Sequence, residues 1–396
     1  MQSSLSREGD PILPWDRVSG WRARRVEAEM LLHHLNIVRE AYPDLRSGAR
    51  SLRAVLANRE RVYGKAHPRK LACVDGRYFT DLYTPGWPSL PYRRFVEGEL
   101  HRQQPLDRPV TRFTNVHLAV TRRCALSCEH CFEWDSLETQ EVLTLDALKG
   151  MVASLQAIGV GQIHLTGGEP MLRLEEVLEL IRTAQPTSAF WLLSSGQNLT
   201  LDSARRLKDA GLTGVVLSLD HWDPAAHNRF RGSPKAFGWV EEGSKSARAV
   251  GLACALTLVV TRETANRQDL LAWMALARRL EAPFVQWLEP KPVGHYAGKD
   301  VALPPEALAL LDELMLQFNY APEYAAYPSV TYHGFYQRRL GCFSSGHRAF
   351  YVDTAGDVLG CPFCRHSTGN LLRDPIERVL EQLKARGCST FGLSPV

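Results

Sequence analysis

Long apolar runs are missing from this 396-residue chain. No segment approaches eighteen consecutive apolar residues, so no membrane-spanning helix is expected. The longest run, Leu252–Val260 with only Thr257 polar, has the length of a buried strand. Low-complexity tracts and repeats are absent too, which excludes a solenoid. The first ten residues, MQSSLSREGD, hold no apolar core of a secretion signal, so a cytoplasmic protein is expected. The net charge is only +4, too small to argue for nucleic acid or a membrane surface. No basic patch interleaved with aromatics stands out, which argues against a nucleic-acid partner.

What remains is globular: 45% hydrophobic and 23% charged residues bury a full core. Nine cysteines, an odd number without an export signal, read as thiols or metal ligands rather than disulfides.

Three regions differ in texture. Residues 1–110 carry a net charge of +6. Arg22–Arg39 and Ser51–Tyr63 read as helices. Leu71–Tyr83 reads as two short strands about Asp75-Gly76. TPGWPSLP is too proline-rich for a helix interior, and Gln103–Pro109 looks like a linker. From residue 111 to 318, strands at 115–121, 162–168, 189–195, 214–220, 253–261 and 284–290 alternate with amphipathic helices. Six β-α units predict a parallel sheet covered by helices, with the active site at the strands' carboxyl ends. After Phe318 the regularity stops. Residues 319–396 read as a small, loop-rich, metal-organised module with one hairpin, YVDTAGDVLGC, turning at Ala355-Gly356-Asp357.

Cys124, Cys128 and Cys131 stand as C-x3-C-x2-C directly after the first strand of the array. Three thiolates within eight residues suit one soft metal centre. They are one ligand short of a closed four-thiolate site. Two readings stay open: structural zinc with His130 as fourth ligand, or a 4Fe-4S cluster with one iron open. Thr166-Gly167-Gly168-Glu169-Pro170 ends the second strand. Its glycines allow close backbone approach to a ligand, and Glu169 can accept from an ammonium group.

Together these motifs resemble the radical S-adenosylmethionine (SAM) superfamily over about residues 114–300. The resemblance implies an α/β fold, a partial (βα)6 TIM-like barrel. It implies that Cys124, Cys128 and Cys131 hold three irons while SAM chelates the fourth. Gly167, Gly168 and Glu169 would contact its methionine moiety. Ser194 or Ser195, then Ser218 and Asp220, match positions near the carboxylate or ribose. Arg229 or Arg231 matches a basic position near the carboxylate. The implied chemistry is one-electron cleavage of SAM to a 5′-deoxyadenosyl radical that takes a substrate hydrogen. The protein's share is positioning and shielding. A flavodoxin or ferredoxin would donate the electron.

Cys342, Cys361 and Cys364 form C-x18-C-x2-C, and Cys388 follows. The first two bracket the predicted hairpin Phe350–Leu359. Four thiolates with a CxxC pair suit zinc equally well. The tail also resembles the twitch form of the auxiliary domain, a relative of the SPASM domain, that follows some radical SAM barrels. That resemblance implies a second, auxiliary 4Fe-4S cluster, with Cys388 as a candidate fourth ligand, and oxidative chemistry on a small molecule or peptide. Cys73 and Cys254 read as packing residues. Glu289, His295 and Tyr296, after the sixth strand, are candidate catalytic groups. Tyr332, His333 and Tyr336 can line a cavity or pack beneath the tail. The expected function is an oxidative modification of a biosynthetic intermediate. The alternatives are a maturase that cross-links or epimerises a ribosomal peptide, and a non-catalytic iron–sulfur or zinc protein.

Overall fold

The structure, a computed structural model, describes residues 15–63, 70–108, 110–342, 345–388 and 390–391. The first ten residues and Pro109 of the expected linker lie outside that set. The chain begins with β1 (Trp15–Ser19), α1 (Gly20–Ala41), α2 (Leu45–Tyr63), β2 (Lys70–Val74), β3 (Arg77–Phe79) and α3 (Leu90–Gln103). The expected helices are α1 and a longer α2. Asp75 and Gly76 both take positive φ, 52° and 71°, as a two-residue hairpin turn demands. β1 pairs antiparallel with β2 to complete a three-stranded sheet. Helix α3 went unforeseen because its prolines read as breakers. Pro91 sits in the first turn, where a missing N–H costs nothing, and the Ser89 side chain caps the helix by accepting from the Tyr92 N–H at 3.1 Å.

The β-α array follows as β4 (Asn115–Thr121), α4 (Leu145–Ala157), β5 (Gln162–Gly167), α5 (Leu174–Thr183), β6 (Ala189–Ser194), α6 (Leu201–Ala210) and β7 (Leu212–Ser218). It continues with α7 (Pro224–Arg231), α8 (Ala236–Ala249), β8 (Ala253–Val259), α9 (Arg267–Arg279), β9 (Phe284–Leu288) and α10 (Pro305–Tyr320). All six expected strands form, and they pair in parallel. The tail supplies β10 (Ser329–Tyr332), α11 (His333–Leu340), β11 (Ala349–Val352), β12 (Asp357–Leu359), β13 (Ser367–Asn370) and α12 (Ile376–Arg386).

The tail is more regular than its sequence suggested. β10 adds in parallel to β9, and β11 adds in parallel to β4 on the opposite side. The resulting sheet runs β10-β9-β8-β7-β6-β5-β4-β11-β12-β13 and does not close on itself. Phe350, Val352, Val358, Val379 and Leu383 of the tail join the core beneath the array's helices. Four-residue strands carry too little periodicity to be read alone; pairing with a long neighbour makes them strands.

Side chains alternate across the sheet. One face, with Val116, Leu118, Ile163, Leu165, Leu192, Val215, Leu217 and Leu256, packs under the helices. The other, concave face carries Trp191, Val216, Ala253, Ala255 and Phe284. It is met by Ala72, Val74, Phe79 and Leu82 from the first region. Phe79 stands edge-on to Trp191 at 6.2 Å and to Phe284 at 6.1 Å. Each such buried side chain contributes roughly 1.5–3 kcal/mol. Lys70, only 4% exposed, donates to the carbonyls of Phe318, Tyr324, Tyr327 and Pro328 at 2.7–3.2 Å. The first region is thereby tied to the loop after α10.

Candidate active site

β4 ends at Thr121, and the cysteine loop leaves the sheet there. Cys128 is buried, and Cys124 and Cys131 are half-buried. Burial pushes the Cys124 thiol up to about 11 and the Cys131 thiol to about 12. These thiols keep their protons until a cationic metal centre displaces them. Cys128 has a cationic neighbour: Arg231 Nη1 lies 3.5 Å from its sulfur. Arg231 pairs with Asp220 at 2.5 Å, both buried. Asp220 also accepts from the Val259 N–H at 3.1 Å. Burial alone would raise the Asp220 pKa; Arg231, His130 and His227 outweigh it, and the net shift is downward. Of the two arginines named from sequence, Arg229 is exposed and Arg231 is the one beside the cysteines.

The turn after β5 is sewn to the same loop. Gly168 N–H donates to Thr121 O at 2.8 Å, and Glu169 N–H to Arg123 O at 2.7 Å. A Cβ at position 168 would stand 2.2 Å from Arg123 O, so only glycine fits. Sequence reasoning gave Glu169 as an acceptor for an ammonium group. Its carboxylate instead accepts from Ser194 Oγ (2.8 Å), Ser195 N–H (2.8 Å), Ser195 Oγ (2.5 Å) and Met171 N–H (3.1 Å). Glu169 and Ser195 therefore lock β5 to β6. The half-buried backbone of Gly167 and Gly168 remains as the polar surface of the turn. Ser218 is half-buried at the end of β7.

The catalytic candidates do not converge. His295 N–H donates to Cys131 O at 2.9 Å, and its Nδ1 lies 2.9 Å from Cys128 O. Its ring stacks on Trp134 at 4.1 Å. Trp134, which sequence reasoning missed, and His295 together clamp the cysteine loop. Tyr296 is buried beside them, and burial pushes its hydroxyl up to about 12. Glu289 lies apart. It accepts from Tyr332 Oη at 2.8 Å and Lys291 Nζ at 3.1 Å, and from Arg338. Burial opposes ionisation of Glu289, but Lys291, Tyr332 and Arg338 hold its pKa below the usual value. His130, the zinc-reading ligand, faces Phe230 at 5.0 Å. Among the described residues, no three His, Cys, Asp or Glu side chains converge as ligands of a single ion.

The second group of cysteines gathers from three segments. Cys342 Sγ accepts from Ser345 N–H at 3.3 Å and Gln337 Nε2 at 3.8 Å. Ser345 is fully buried with an unpartnered hydroxyl. A Cβ at Gly360 would stand 2.2 Å from that hydroxyl and 3.9 Å from the Cys364 Cβ. Cys364 N–H donates to Cys361 O at 3.1 Å. Cys388 follows Gly387, whose backbone closely approaches Gly346. Gly360 thus lies between the orphaned Ser345 hydroxyl and Cys364.

The two cysteine groups touch through their neighbours in sequence. Phe132, after Cys131, stands edge-on to Phe363 at 6.1 Å and to Tyr351 at 5.8 Å. Glu133, 2% exposed, accepts from Tyr351 Oη at 2.7 Å and pairs with Arg365 at 3.4 Å. Phe363 lies inside the CxxC, and Arg365 follows it.

The parallel β-α array presents three thiols beside a Gly-Gly turn. Residues 118–274 match the model of the Radical SAM superfamily, and the chain carries a radical SAM domain there. That domain implies a 4Fe-4S cluster and SAM, and the thiol set and the Gly167-Gly168 turn fit both. The PqqA peptide cyclase of Streptomyces rochei is 28% identical over 275 residues, covering 66% of this chain and 74% of that protein. A probable GTP 3′,8-cyclase of Pyrococcus horikoshii is 30% identical over 175 residues, 44% of this chain. That match spans 54% of the relative, little more than half of it. The crystal structure of Streptococcus suis SuiB bound to precursor peptide SuiA superposes with a TM-score of 0.56 at 15% identity, covering 70% of this chain and 67% of that one. This likeness is one of fold. No helix among the described residues is long and apolar enough to cross a membrane.

Proposed function

We propose that this enzyme carries out an oxidative modification of a peptide, with a second iron–sulfur cluster taking up the electron. Contact between the two cysteine loops through Phe132, Glu133, Tyr351, Phe363 and Arg365 carries this reading. The names of the cyclase and of the peptide-bound fold relative support a peptide as substrate. Cys124, Cys128 and Cys131 would hold the cluster, which with bound SAM would supply hydrogen-abstracting chemistry.

The chain's own residues prepare that step. Arg231 places a cation against Cys128, which offsets part of the burial that still holds its thiol up, and Asp220 holds Arg231 in place. Gly167 and Gly168 offer backbone to the methionine moiety. Ser218, half-buried at the end of β7, would face the ribose, and Ser195, through Glu169, fixes the turn. His295, with Trp134, positions the cysteine loop, and Tyr296 seals it. Glu289, ionised and saturated with donors, braces the mouth. Cys342, Cys361, Cys364 and Cys388 would hold the auxiliary cluster. It would accept the electron that the substrate radical loses together with a proton. A flavodoxin or ferredoxin is the matching reductant.

The test is iron and sulfide content after anaerobic reconstitution, with dithionite-dependent 5′-deoxyadenosine release on the same sample. About eight irons per chain, the content of two 4Fe-4S clusters, with cleavage supports the proposal. About four irons with cleavage removes the second cluster and the oxidative step. Zinc alone without cleavage leaves a non-catalytic metal protein.

A further inference from the structure

The first region does more than cover the concave face. Beyond β3 the chain carries Tyr83 into the sheet's lumen, against three histidines. Ring centroids lie 5.0 Å away at His333, 5.4 Å at His164 and 6.1 Å at His117. His117 and His164 are register partners on β4 and β5, with rings 4.8 Å apart. Trp191, the register partner of His164 on β6, stacks on it at 6.2 Å and 11°. Gln286 of β9 donates to Tyr83 Oη at 2.7 Å, and Gln162 of β5 donates to Leu82 O at 2.9 Å. Gln286 thus holds the Tyr83 hydroxyl, while Gln162 holds the backbone just before it.

This layer is enclosed but not sealed. Tyr83, His117 and His333 keep some solvent-accessible surface deep within the fold. So do Leu193, Thr257 and Leu288, which lie on the same face nearer the strands' carboxyl ends. Three buried polar atoms of this face have no partner: His164 Nε2, Trp191 Nε1 and Thr257 Oγ1. Buried polar groups are normally satisfied, so these await something that bonds to them. The layer is also uncharged. Burial pushes His117 and His333 down to about 4, and holds His164 well below the usual imidazole value. The nearby carboxylate of Asp81 accepts instead from Tyr83 N–H and from the Thr80 and Thr84 hydroxyls.

We propose that Tyr83, His117, His164 and Trp191 form the base of the substrate pocket and receive an uncharged aromatic group with a hydrogen-bonding atom. Near-parallel ring faces select for an aromatic, and the orphaned donors and acceptors select for its polar atom. Nothing in the layer compensates a phosphate or carboxylate, so a triphosphate head is excluded. The proposal rests on the radical SAM reading above and assigns the substrate end of that same lumen.

Matched probes test it: p-cresol, its charged counterpart p-toluate, and inorganic triphosphate, each titrated into the anaerobically reconstituted enzyme carrying 15N-histidine. p-Cresol should shift the His164 Nε2 resonance and bind at least about ten-fold tighter than either anion, the factor one unmade buried hydrogen bond produces. Tyr83→Ala and Thr257→Val should each weaken p-cresol binding. Equal binding of p-cresol and p-toluate, or an unmoved His164 resonance, overturns the assignment even if both variants fail to fold. SAM cleavage by the same wild-type sample reports on the radical SAM reading separately. Cleavage without p-cresol binding removes the pocket base alone, while p-cresol binding without cleavage removes the reading alone.

Discussion

Cys124, Cys128 and Cys131 share one loop of eight residues; Cys342, the Cys361–Cys364 pair and Cys388 come from three segments. The first group takes its ligand geometry from its own short spacing and its electrostatics from distant strands. Arg231, Asp220 and the Gly167-Gly168 turn all come from strand ends or a helix that β-α alternation places at one rim. The second group comes from three separate segments, with the β11–β12 hairpin lying between Cys342 and Cys361. A loop-borne site is thus robust to changes in the tail. A site assembled from segments is sensitive to the sheet it rests on.

The largest contrast should come from the cysteines. Cys124→Ala should abolish 5′-deoxyadenosine formation while leaving the auxiliary iron. Cys361→Ala should retain SAM cleavage and lose product. Iron analysis and chromatography of both variants check this, and retained cleavage in Cys124→Ala would break the comparison.

Next come the arginines. Arg231→Ala strands a buried Asp220 and should cost about 3–5 kcal/mol in urea unfolding. Arg365 is more exposed and its pair with Glu133 longer, and the buried Glu133 keeps the Tyr351 hydroxyl, so Arg365→Ala should cost less, about 1–3 kcal/mol. The pH dependence has a definite sign. Asp220 titrates lower in the fold than in the unfolded chain. Its stabilising contribution is therefore complete above about pH 4 and is lost as pH falls through the lowered folded value. Arg231→Ala should flatten that acid limb in unfolding curves.

Glycines sharpen the contrast further. Gly168→Ala drives a Cβ onto the Arg123 carbonyl and should cost roughly 1–3 kcal/mol. Gly360→Ala meets the Ser345 hydroxyl, a side chain able to rotate, and should cost under about 1 kcal/mol by the same melting assay. The last contrast falls between the sites. Tyr351→Phe removes one hydrogen bond to Glu133, about 1 kcal/mol. It should lower product formed per SAM cleaved; an unchanged ratio would show that the contact between the loops carries no function.

The six long strands were legible because their apolar runs and the helices between them have unmistakable periods. The first cysteine loop and the Gly-Gly turn were legible because their chemistry is local. Short β1, β10 and α3 were not, since pairing or a cap makes them. Glu169 and His295 looked like ligand-facing groups, and only the fold reveals that Ser194, Ser195 and the Cys128 carbonyl occupy them. Trp134 and Tyr351 left no signal, because their partners lie far away in sequence.

β11 sits against the strand that carries the first cysteine loop, and Thr114 bonds to Arg348 across 234 residues. On a growing chain that flank of β4 stays open until β11, more than two hundred residues later, has been made. Closing so long a loop is slow. An unpaired edge invites association with other chains in the meantime. Iron delivered before the tail has docked would meet cysteines on an unfinished sheet. Maturation of this enzyme should therefore depend on the order of events at the ribosome, with translation and docking ahead of metal.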